Sequence, residues 1–320
     1  MKSDDDDSAP LGAPPEAQPG PRGHSGAAWA GAGRGTIPAG LHLVATPIGN
    51  AGDITLRALD TLARADVLAA EDTRTLRRLM DIHGIALNGR PLIAYNDHNG
   101  PRRRPAMLAH LAAGKSVAYC SDAGTPLVSD PGWKLAAEAA EAGATVTAAP
   151  GASAMLAALC VSGLPSDRFL FVGFLPQKVG ARRTALAELA RVPATLVVFE
   201  APRRAAQTLR AMTEILGPDR PAALCRELTK RFEQVRRGTL GALADALETE
   251  AAPKGEAVIV IGPPLAGADT PDPQDIDDQL RAALARGSVK DAARDVAAVT
   301  GRPRAELYAR ALELKDDDVH

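Results

Sequence analysis

The stretch HLVATPIGN at positions 42–50 decides the fold prediction, because a short apolar run ends there in a turn that contains Pro47 and Gly49. A segment with apolar residues at helical spacing follows the turn. This order of strand, turn and helix is typical of the ligand-binding edge of an α/β sheet. The glycine fingerprint GxGxxG of a dinucleotide site is missing from the turn. The stretch therefore predicts an α/β domain and leaves open which ligand binds at its turn.

The composition is that of a globular protein. Of the 320 residues, 46% are hydrophobic and 24% are charged, which fits two or three domains with an ample core. No apolar run approaches the ~18 residues of a membrane span, so no membrane association is expected. The three cysteines show no CxxC pairing. We interpret them as small buried thiols of a cytoplasmic protein, without a metal site or disulfide framework.

Charge is strongly segregated along the chain, although the formal net charge is only −2. Residues 177–237 contain 13 Lys or Arg and 6 Asp or Glu, whereas residues 238–276 contain 1 Lys and 7 acids. Residues 281–315 are basic again, with 8 basic and 4 acidic side chains. A single charge run is usually a solvated face, but two separate basic segments favour a polyanionic partner.

Alternating strand and helix patterns predict two α/β domains with crossover connections. In the first domain we expect a helix over 54–65 with Asp53 as its N-cap, and a later helix over 105–113. The second domain has hairpin-like returns, which predict a mixed sheet. The expected boundaries are a disordered extension at 1–36, α/β domains at 37–149 and 150–264, a linker at 265–275 and a helical domain at 276–320.

Four of the predicted strands of the first domain end in unusual polar turns. In an open α/β sheet, ligands bind beyond the carboxyl ends of the strands. One such turn is weak support for a site, but four within 80 residues form a specific constellation. The turns are TPIGN at 46–50, EDTR at 71–74, NDHN at 96–99 and SDAGTP at 121–126.

With these turns in hand, the chain resembles the tetrapyrrole methylase superfamily and, within it, the ribosomal RNA small subunit methyltransferase I family. The resemblance runs from Leu41 to Leu314 and also rests on motifs in the second half of the chain. These are PGASA (150–154), GFLP (173–176), FEAPRR (199–204), RELTK (226–230), KGEA (254–257) and AELYARAL (305–312). The resemblance implies two α/β domains with S-adenosylmethionine in an inter-domain cleft, and a small C-terminal helical domain. It also implies a homodimer.

The resemblance implies a set of cofactor contacts. Their chemistry agrees, since a carboxylate at a strand end can accept hydrogen bonds from a ribose diol or an ammonium group. A glycine in the same turn lets the backbone approach a ligand closely. S-adenosylmethionine has no pyrophosphate, which explains the missing fingerprint. The implied cofactor-binding residues are Ile48, Asp122, Gly124, Thr125, Ser153 and Ala154.

The implied reaction is methylation of the 2′-hydroxyl of a cytidine in the decoding region of 16S ribosomal RNA. The partner is the naked RNA or the assembled small ribosomal subunit, and no metal is required. Candidate general bases near the cleft are Glu71, Asp72, Asp97, His98 and Glu227. His98 and Asp97 rank first, because they lie in the loop after a strand that should face the cleft, and Glu71 could equally orient Arg74. Candidate RNA contacts are Arg74, Lys230, Arg203 and Lys290. The alternatives are C-methylation of a tetrapyrrole ring and a non-catalytic ribosome-binding protein of the same fold.

Two positions depart from the family pattern. Asn96 stands where family members often have a histidine, so this position is not an obligatory base. Arg203 stands where a histidine commonly precedes the second arginine of the motif at 199–204. Both departures leave His98 as the one imidazole expected near the site.

Overall fold

A computed structural model describes residues 37–96, 98–128, 132–248, 255–265, 273–300 and 302–317. The chain divides into two compact units, the first ending at Ser153 and the second beginning at Ala154. The extension at 1–36 and most of the linker at 265–275 lie outside the described residues. The finer domain boundaries stay a prediction.

The first unit is built on a five-stranded, fully parallel sheet with the strand order β3-β2-β4-β1-β5. β4 reads SVAYC and is buried along its whole length, as expected for a central parallel strand covered on both faces. The strands are β1 (Gly40–Val44), β2 (Val67–Ala70), β3 (Leu92–Ala94), β4 (Ser116–Cys120) and β5 (Val146–Ala149). The helices are α1 (Leu56–Arg64), α2 (Thr73–Ile82), α3 (Gly100–Ala112) and α4 (Trp133–Glu141).

Helices cover both faces of this sheet and form two separate apolar cores. Leu62 of α1 and Met80 of α2 pack with Leu68 and Cys120 on one face. On the other face, Met107 of α3 and Leu135 of α4 pack with alternate residues of the same strands, such as Tyr119. The chain therefore switches faces between α2 and α3, which is the doubly wound arrangement.

Two sequence predictions about helix starts in this unit are wrong. Asp53 does not cap α1, because it ends a short 3₁₀ turn, and the Thr55 hydroxyl caps the helix by accepting from the Ala58 N–H at 3.1 Å. The predicted helix over 105–113 begins five residues earlier, at Gly100, with Pro105 inside it. Pro105 is the sixth residue of this helix, beyond the first four N–H groups that have no helical partner, so it removes one backbone hydrogen bond from the helix.

The second unit contains a mixed five-stranded sheet with the order β6-β7-β10-β8-β9, which confirms the expected mixture. β6 is parallel to β7, whereas β10 is antiparallel to both β7 and β8. β8 and β9 form an antiparallel hairpin. The strands are β6 (Phe169–Phe174), β7 (Thr195–Glu200), β8 (Pro221–Arg226), β9 (Gln234–Thr239) and β10 (Ala257–Ile261). The helices are α5 (Ala154–Ser162), α6 (Val179–Leu189), α7 (Pro202–Leu216) and α8 (Leu240–Glu248).

Three C-terminal helices pack around an apolar core of their own. They are α9 (Pro273–Leu284), α10 (Val289–Thr300) and α11 (Arg304–Asp317). Leu280, Ala293 and Leu307 meet in this core, one from each helix. The Ser288 hydroxyl caps α10, because it accepts from the Asp291 N–H and donates to the Asp291 carboxylate.

The predictions about membrane spans and about the three cysteines have different outcomes. No helix among the described residues has the length and apolar character needed to cross a bilayer. Cys120 and Cys225 are buried as expected, and burial raises the pKa of the Cys225 thiol to about 11. Cys160 is exposed, which contradicts the prediction of three buried thiols. It lies on the outer side of α5, whose sequence is apolar on every face and gives no sign of which side is buried.

Candidate active site

The turns of the first unit gather at one edge of the sheet because all five strands run in the same direction. β1 and β4 are neighbours, but the chain leaves them toward opposite faces, to α1 and α4 respectively. Their turns therefore flank the switch point at which open α/β sheets bind ligands. The sequence prediction of strand-end turns in register agrees with this placement.

The turns after β1 and β4 are bonded to each other. The backbone of Thr46 exchanges two hydrogen bonds with that of Gly124, at 2.9 and 3.0 Å. The Thr46 hydroxyl also donates to the Ser121 carbonyl, and the Ser121 hydroxyl donates to the Gly124 carbonyl, both at 3.2 Å. Neither hydroxyl was singled out in the sequence, although both are the first polar side chains after buried strands. Together they fix the relative position of the two turns.

A third turn, at 150–153 after β5, joins this frame. The Thr125 hydroxyl donates to the Ala152 carbonyl at 3.0 Å. Gly124 has a φ of +79°, and a Cβ placed there would lie 3.3 Å from Ile48 Cγ2 and 3.6 Å from the Ala152 oxygen. Only glycine combines this backbone conformation with so close an approach. Of the predicted cofactor residues, Ile48, Gly124 and Thr125 thus lie together.

The other predicted cofactor residues take different places. Asp122 is exposed in the turn after β4, and its Oδ1 accepts from the Asp72 N–H at 2.9 Å. The sequence suggested no structural partner for this carboxylate, so this bond is a correction. Ser153 is the last residue of the first unit, and Ala154 is the first residue of α5.

The turn after β2 is organised by Asp72. Its carboxylate caps α2 by accepting from the Arg74 N–H at 2.8 Å, and it also binds the Arg74 guanidinium at 2.6 Å. The side-chain hydrogen bond from Arg74 is the main reason why the pKa of Asp72 is lowered to about 2. Such a carboxylate is a weak base at neutral pH. Asp72 therefore orients Arg74, a role that the sequence also allowed for Glu71.

The turn after β3 carries His98. Two asparagine side chains hold this turn, because Asn99 Oδ1 accepts from the Asn96 N–H and Asn96 Oδ1 accepts from the Asn99 N–H, at 3.0 and 3.2 Å. The His98 side chain is exposed, and no hydrogen bond ties it to the part of the chain that the structure describes. Asp97 lies outside the described residues. The imidazole of His98 is thus available to a substrate.

These turns line a cleft of about 480 Å³. The cleft brings together the candidate bases His98 and Glu71, the candidate cofactor ligand Asp122 and the candidate RNA contact Arg74. Asn96 and Thr73 complete its polar lining. Four residues chosen from three separate turns of the sequence therefore share one cleft, which makes it the candidate active site.

The remaining RNA candidates belong to the second unit, where their surroundings differ. Lys230 Nζ is bound by the carboxylates of Glu227 and Glu256, at 3.1 and 3.0 Å. Arg203 and Lys290 are exposed. Burial raises the pKa of Glu227, but the hydrogen bonds from Lys230 and the Glu256 N–H outweigh this effect, so that the pKa is lowered overall.

The basic segment 177–237 presents less charge to solvent than its sequence suggests. Arg182 and Arg220 are buried. Arg204 binds the buried carboxylate of Glu200, with 2.7 Å between Nε and Oε1. Arg183 and Arg210 are paired with acids. The prediction of a basic footprint along the whole segment is therefore too broad.

Comparison with known proteins places this architecture in a family. Residues 40–244 match the family described as tetrapyrrole (corrin/porphyrin) methylases, and residues 270–315 match the RsmI C-terminal HTH domain. Ribosomal RNA small subunit methyltransferase I of Mesorhizobium japonicum is 55% identical over 86% of this chain and 92% of its own length. This chain belongs to the ribosomal RNA small subunit methyltransferase I family.

Other comparisons agree with this family. The protein of the same name from Synechocystis is 45% identical and covers 87% of this chain and 99% of its own length. The crystal structure of a cobalt precorrin-4 methyltransferase covers 69% of this chain and 94% of its own, with a TM-score of 0.52 and 19% identity. The latter likeness shows the fold alone. The fold is thus that of the tetrapyrrole methylases with an added C-terminal helical region, and the family is one of methyltransferases that act on ribosomal RNA.

Proposed function

We propose that this chain transfers a methyl group from S-adenosylmethionine to the 2′-hydroxyl of a cytidine in the decoding region of 16S ribosomal RNA. The observation that carries the proposal is the strand-end cleft of the first unit, where His98 and Glu71 lie beside Asp122. A cleft with an available imidazole and a separate carboxylate suits a reaction that removes a proton next to a bound cation. The membership of the chain in a ribosomal RNA methyltransferase family supports the class of substrate.

The residues at the switch point fit S-adenosylmethionine. The three bonded turns form one frame, in which a side chain at position 124 would meet Ile48 and the Ala152 oxygen, so glycine lets the turns pack this closely. Asp122 uses Oδ1 to bind the Asp72 N–H. Its carboxylate has further lone pairs for the ribose hydroxyls or the ammonium group of the donor. In this proposal Thr125 is a positioning residue, since its hydroxyl donates a hydrogen bond to the Ala152 carbonyl.

S-adenosylmethionine supplies a methyl group on a positively charged sulfur, which is already activated for displacement. The protein has to orient the ribose hydroxyl and accept its proton as the new oxygen–carbon bond forms. Histidine side chains exchange protons near neutral pH, and a positioned base contributes typically ~10²–10⁴-fold to the rate. In this proposal the His98 imidazole takes the proton, and orientation of the two reactants supplies a further part of the rate enhancement.

The hairpin of β8 and β9 offers an additional contact for RNA. Phe232 at its turn is 75% exposed, and the Arg231 guanidinium lies 5.5 Å from the centre of its ring. An exposed aromatic ring beside an arginine suits stacking on an unpaired base, which contributes roughly 1–3 kcal/mol per base. The low overall aromatic content of 3% makes this exposed ring more specific as a signal.

The hairpin turn is built rigidly around two residues in the left-handed region. Glu227 has a φ of +49° and Thr229 a φ of +63°, and strain of this kind clusters at functional sites. The Glu227 carboxylate binds both Lys230 and the Glu256 N–H, so the motifs at 226–230 and 254–257 form one unit. Replacing Phe232 with alanine should raise the KM for RNA without changing donor affinity. An unchanged KM would remove the hairpin from the RNA surface.

Methyl incorporation from labelled S-adenosylmethionine into isolated small ribosomal subunits tests the proposed function. Label at a cytidine 2′-oxygen in the decoding region is the expected result. Label on a tetrapyrrole precursor, or donor binding without any transfer, would overturn it. The same assay with naked 16S RNA decides which form of the substrate is used. Sedimentation of the full chain tests the homodimer that the family resemblance implies.

A further inference from the structure

Arg182, on α6, is a buried arginine whose guanidinium has no hydrogen-bond partner among the described residues. The residue is only 2% exposed, and its Nε is buried without a hydrogen bond. Across the described residues, no carboxylate, carbonyl or hydroxyl accepts a hydrogen bond from its side chain. The one hydrogen bond of this residue is that of the backbone N–H to the Lys178 carbonyl, at 2.9 Å.

Arg220, the other deeply buried arginine described in this unit, has hydrogen-bond partners. Arg220 is 3% exposed, and its Nε and Nη1 donate to the carbonyls of Gly262 and Ala190, at 2.8 and 3.1 Å. An arginine keeps its positive charge inside a protein. Burying that charge without a partner is costly, so buried charges are normally paired. The contrast leaves the Arg182 guanidinium open to a ligand that is not among the described residues.

Arg182 lines a cavity of about 380 Å³ formed by α6, α7 and the end of α8, and all the lining residues belong to the second unit. Arg183 and Arg210 line it too, together with Glu214 and Glu248. Arg183 is bound to Glu214, and Arg210 is bound to Glu248 at 2.6 Å. The two carboxylates are thus already matched. Arg210 also binds Asp245 at 3.0 Å, so among the described residues Arg182 is the cavity arginine that no carboxylate pairs with.

We propose that this cavity binds a phosphate group, with Arg182 as its central donor. A guanidinium presents its N–H groups in a planar fork that matches two phosphate oxygens. Arg183 and Arg210 each keep N–H groups that their carboxylates do not use, and Gln207 adds an amide at the wall. Several donors around one cavity favour an anion with several acceptor oxygens. The site goes beyond the proposed methyl transfer and does not depend on it.

Thermal unfolding of the full chain in inorganic phosphate tests the site, with chloride at equal ionic strength as reference. The variant is Arg182→Met, which keeps an unbranched apolar stem and removes the charged guanidinium. In phosphate-free buffer it should unfold at a temperature ~2–4 °C above wild type, because an unpaired buried charge is gone. Phosphate should raise the unfolding temperature of wild type more than that of the variant. The rise that remains in the variant measures the general stabilisation by phosphate, an ion that is excluded from protein surfaces.

Arg220→Met is the matched control. It removes an equally buried charge, but it leaves the Gly262 and Ala190 carbonyls without their donor, so its unfolding temperature should fall. Its extra stabilisation by phosphate should persist. Arg182→Lys keeps the charge with fewer donors and should show a weakened phosphate effect. If Arg182→Met unfolds earlier than wild type and gains as much from phosphate, the proposal is overturned.

A second arm separates two sources of the phosphate group. If the ligand is a backbone phosphate of RNA, Arg182→Met weakens binding of a small-subunit RNA fragment and lowers the salt dependence by about one phosphate contact. If the ligand is a free phosphate ion, RNA affinity is unchanged and the phosphate effect on unfolding remains specific to Arg182. A phosphate effect that is equal in all the variants contradicts both.

Discussion

The Asp72 N–H donates to Asp122 Oδ1 at 2.9 Å and thereby joins the turns after β2 and β4 across the candidate active site. Asp72 in turn holds the Arg74 guanidinium, so three residues from two turns act as one unit. A carboxylate that meets a ligand here also sets the position of the neighbouring turn. Any test of its role must separate these two effects.

Two replacements of Asp122 separate its contact with a ligand from its bond to the neighbouring turn. Asp122→Asn keeps an oxygen for the Asp72 N–H but removes the charge, whereas Asp122→Ala removes both. We expect Asp122→Ala to weaken S-adenosylmethionine binding by roughly 10- to 100-fold, the loss typical of a hydrogen bond to a charged group. Calorimetry measures the dissociation constant, and the value for Asp122→Asn should lie between those of wild type and Asp122→Ala. Wild-type affinity of Asp122→Asn would show that the carboxylate acts only through the turn.

Replacing His98 tests the proposed base. His98→Ala should lower kcat by ~10²–10⁴-fold and leave the dissociation constant of S-adenosylmethionine unchanged. His110→Ala is the control, because this histidine lies in the last turn of α3, at the opposite end of the sheet. Single-turnover rates on small subunits give the comparison. A larger loss in Glu71→Gln than in His98→Ala would assign the proton to Glu71.

The adjacent arginines of the motif at 199–204 should behave in opposite ways. Glu200 is buried, and it accepts from Arg204 Nε at 2.7 Å and from the Thr208 hydroxyl at 2.6 Å. Arg204→Ala leaves this carboxylate unpaired and should lower the free energy of unfolding by ~3–5 kcal/mol. Arg203→Ala should leave stability unchanged and weaken RNA binding. Denaturant unfolding and RNA titration measure both; equal stability losses would refute the division of roles.

Lys290 and Arg304 are exposed basic residues that we expect to meet RNA on the C-terminal helices. Arg304 Nη2 donates to the backbone carbonyl of Lys290 at 3.4 Å, which places the Arg304 guanidinium at the start of α10. Replacing both with alanine should reduce the salt dependence of RNA binding by about two phosphate contacts. Arg310→Ala is the control, because Asp277 holds this guanidinium through two bonds of 2.8 and 2.6 Å. A salt dependence unchanged by the double replacement would exclude this surface.

Much of the fold could be predicted because apolar runs mark buried elements directly. β7, β10 and α10 have the bounds that the sequence indicates. β9 was missed, because its sequence QVRRGT has neither an apolar run nor a clean alternation, and it is a strand through its pairing with β8. Backbone pairing of this kind leaves little trace in a single sequence.

The site was predictable as a set of turns but not as a set of bonds. Parallel strands bring their carboxyl ends together whatever the side chains are, so motif positions were enough to find the cleft. The bond between residues 72 and 122 spans 50 positions and depends on which strands are neighbours. The different fates of Arg203 and Arg204 depend on the rotation of one residue around α7. Spacing alone does not supply either fact.

Among the described strands, the hairpin strand β9 is the last of its sheet, so that one row of its backbone groups faces no other described strand. It carries Arg236 and Arg237, and charged side chains on such a border discourage other chains from adding to it. Variants that neutralise these arginines in order to weaken RNA binding would also remove the charges that keep this edge strand from pairing with other chains. Self-association of such variants would then mimic a loss of RNA affinity, and the two effects have to be separated by concentration.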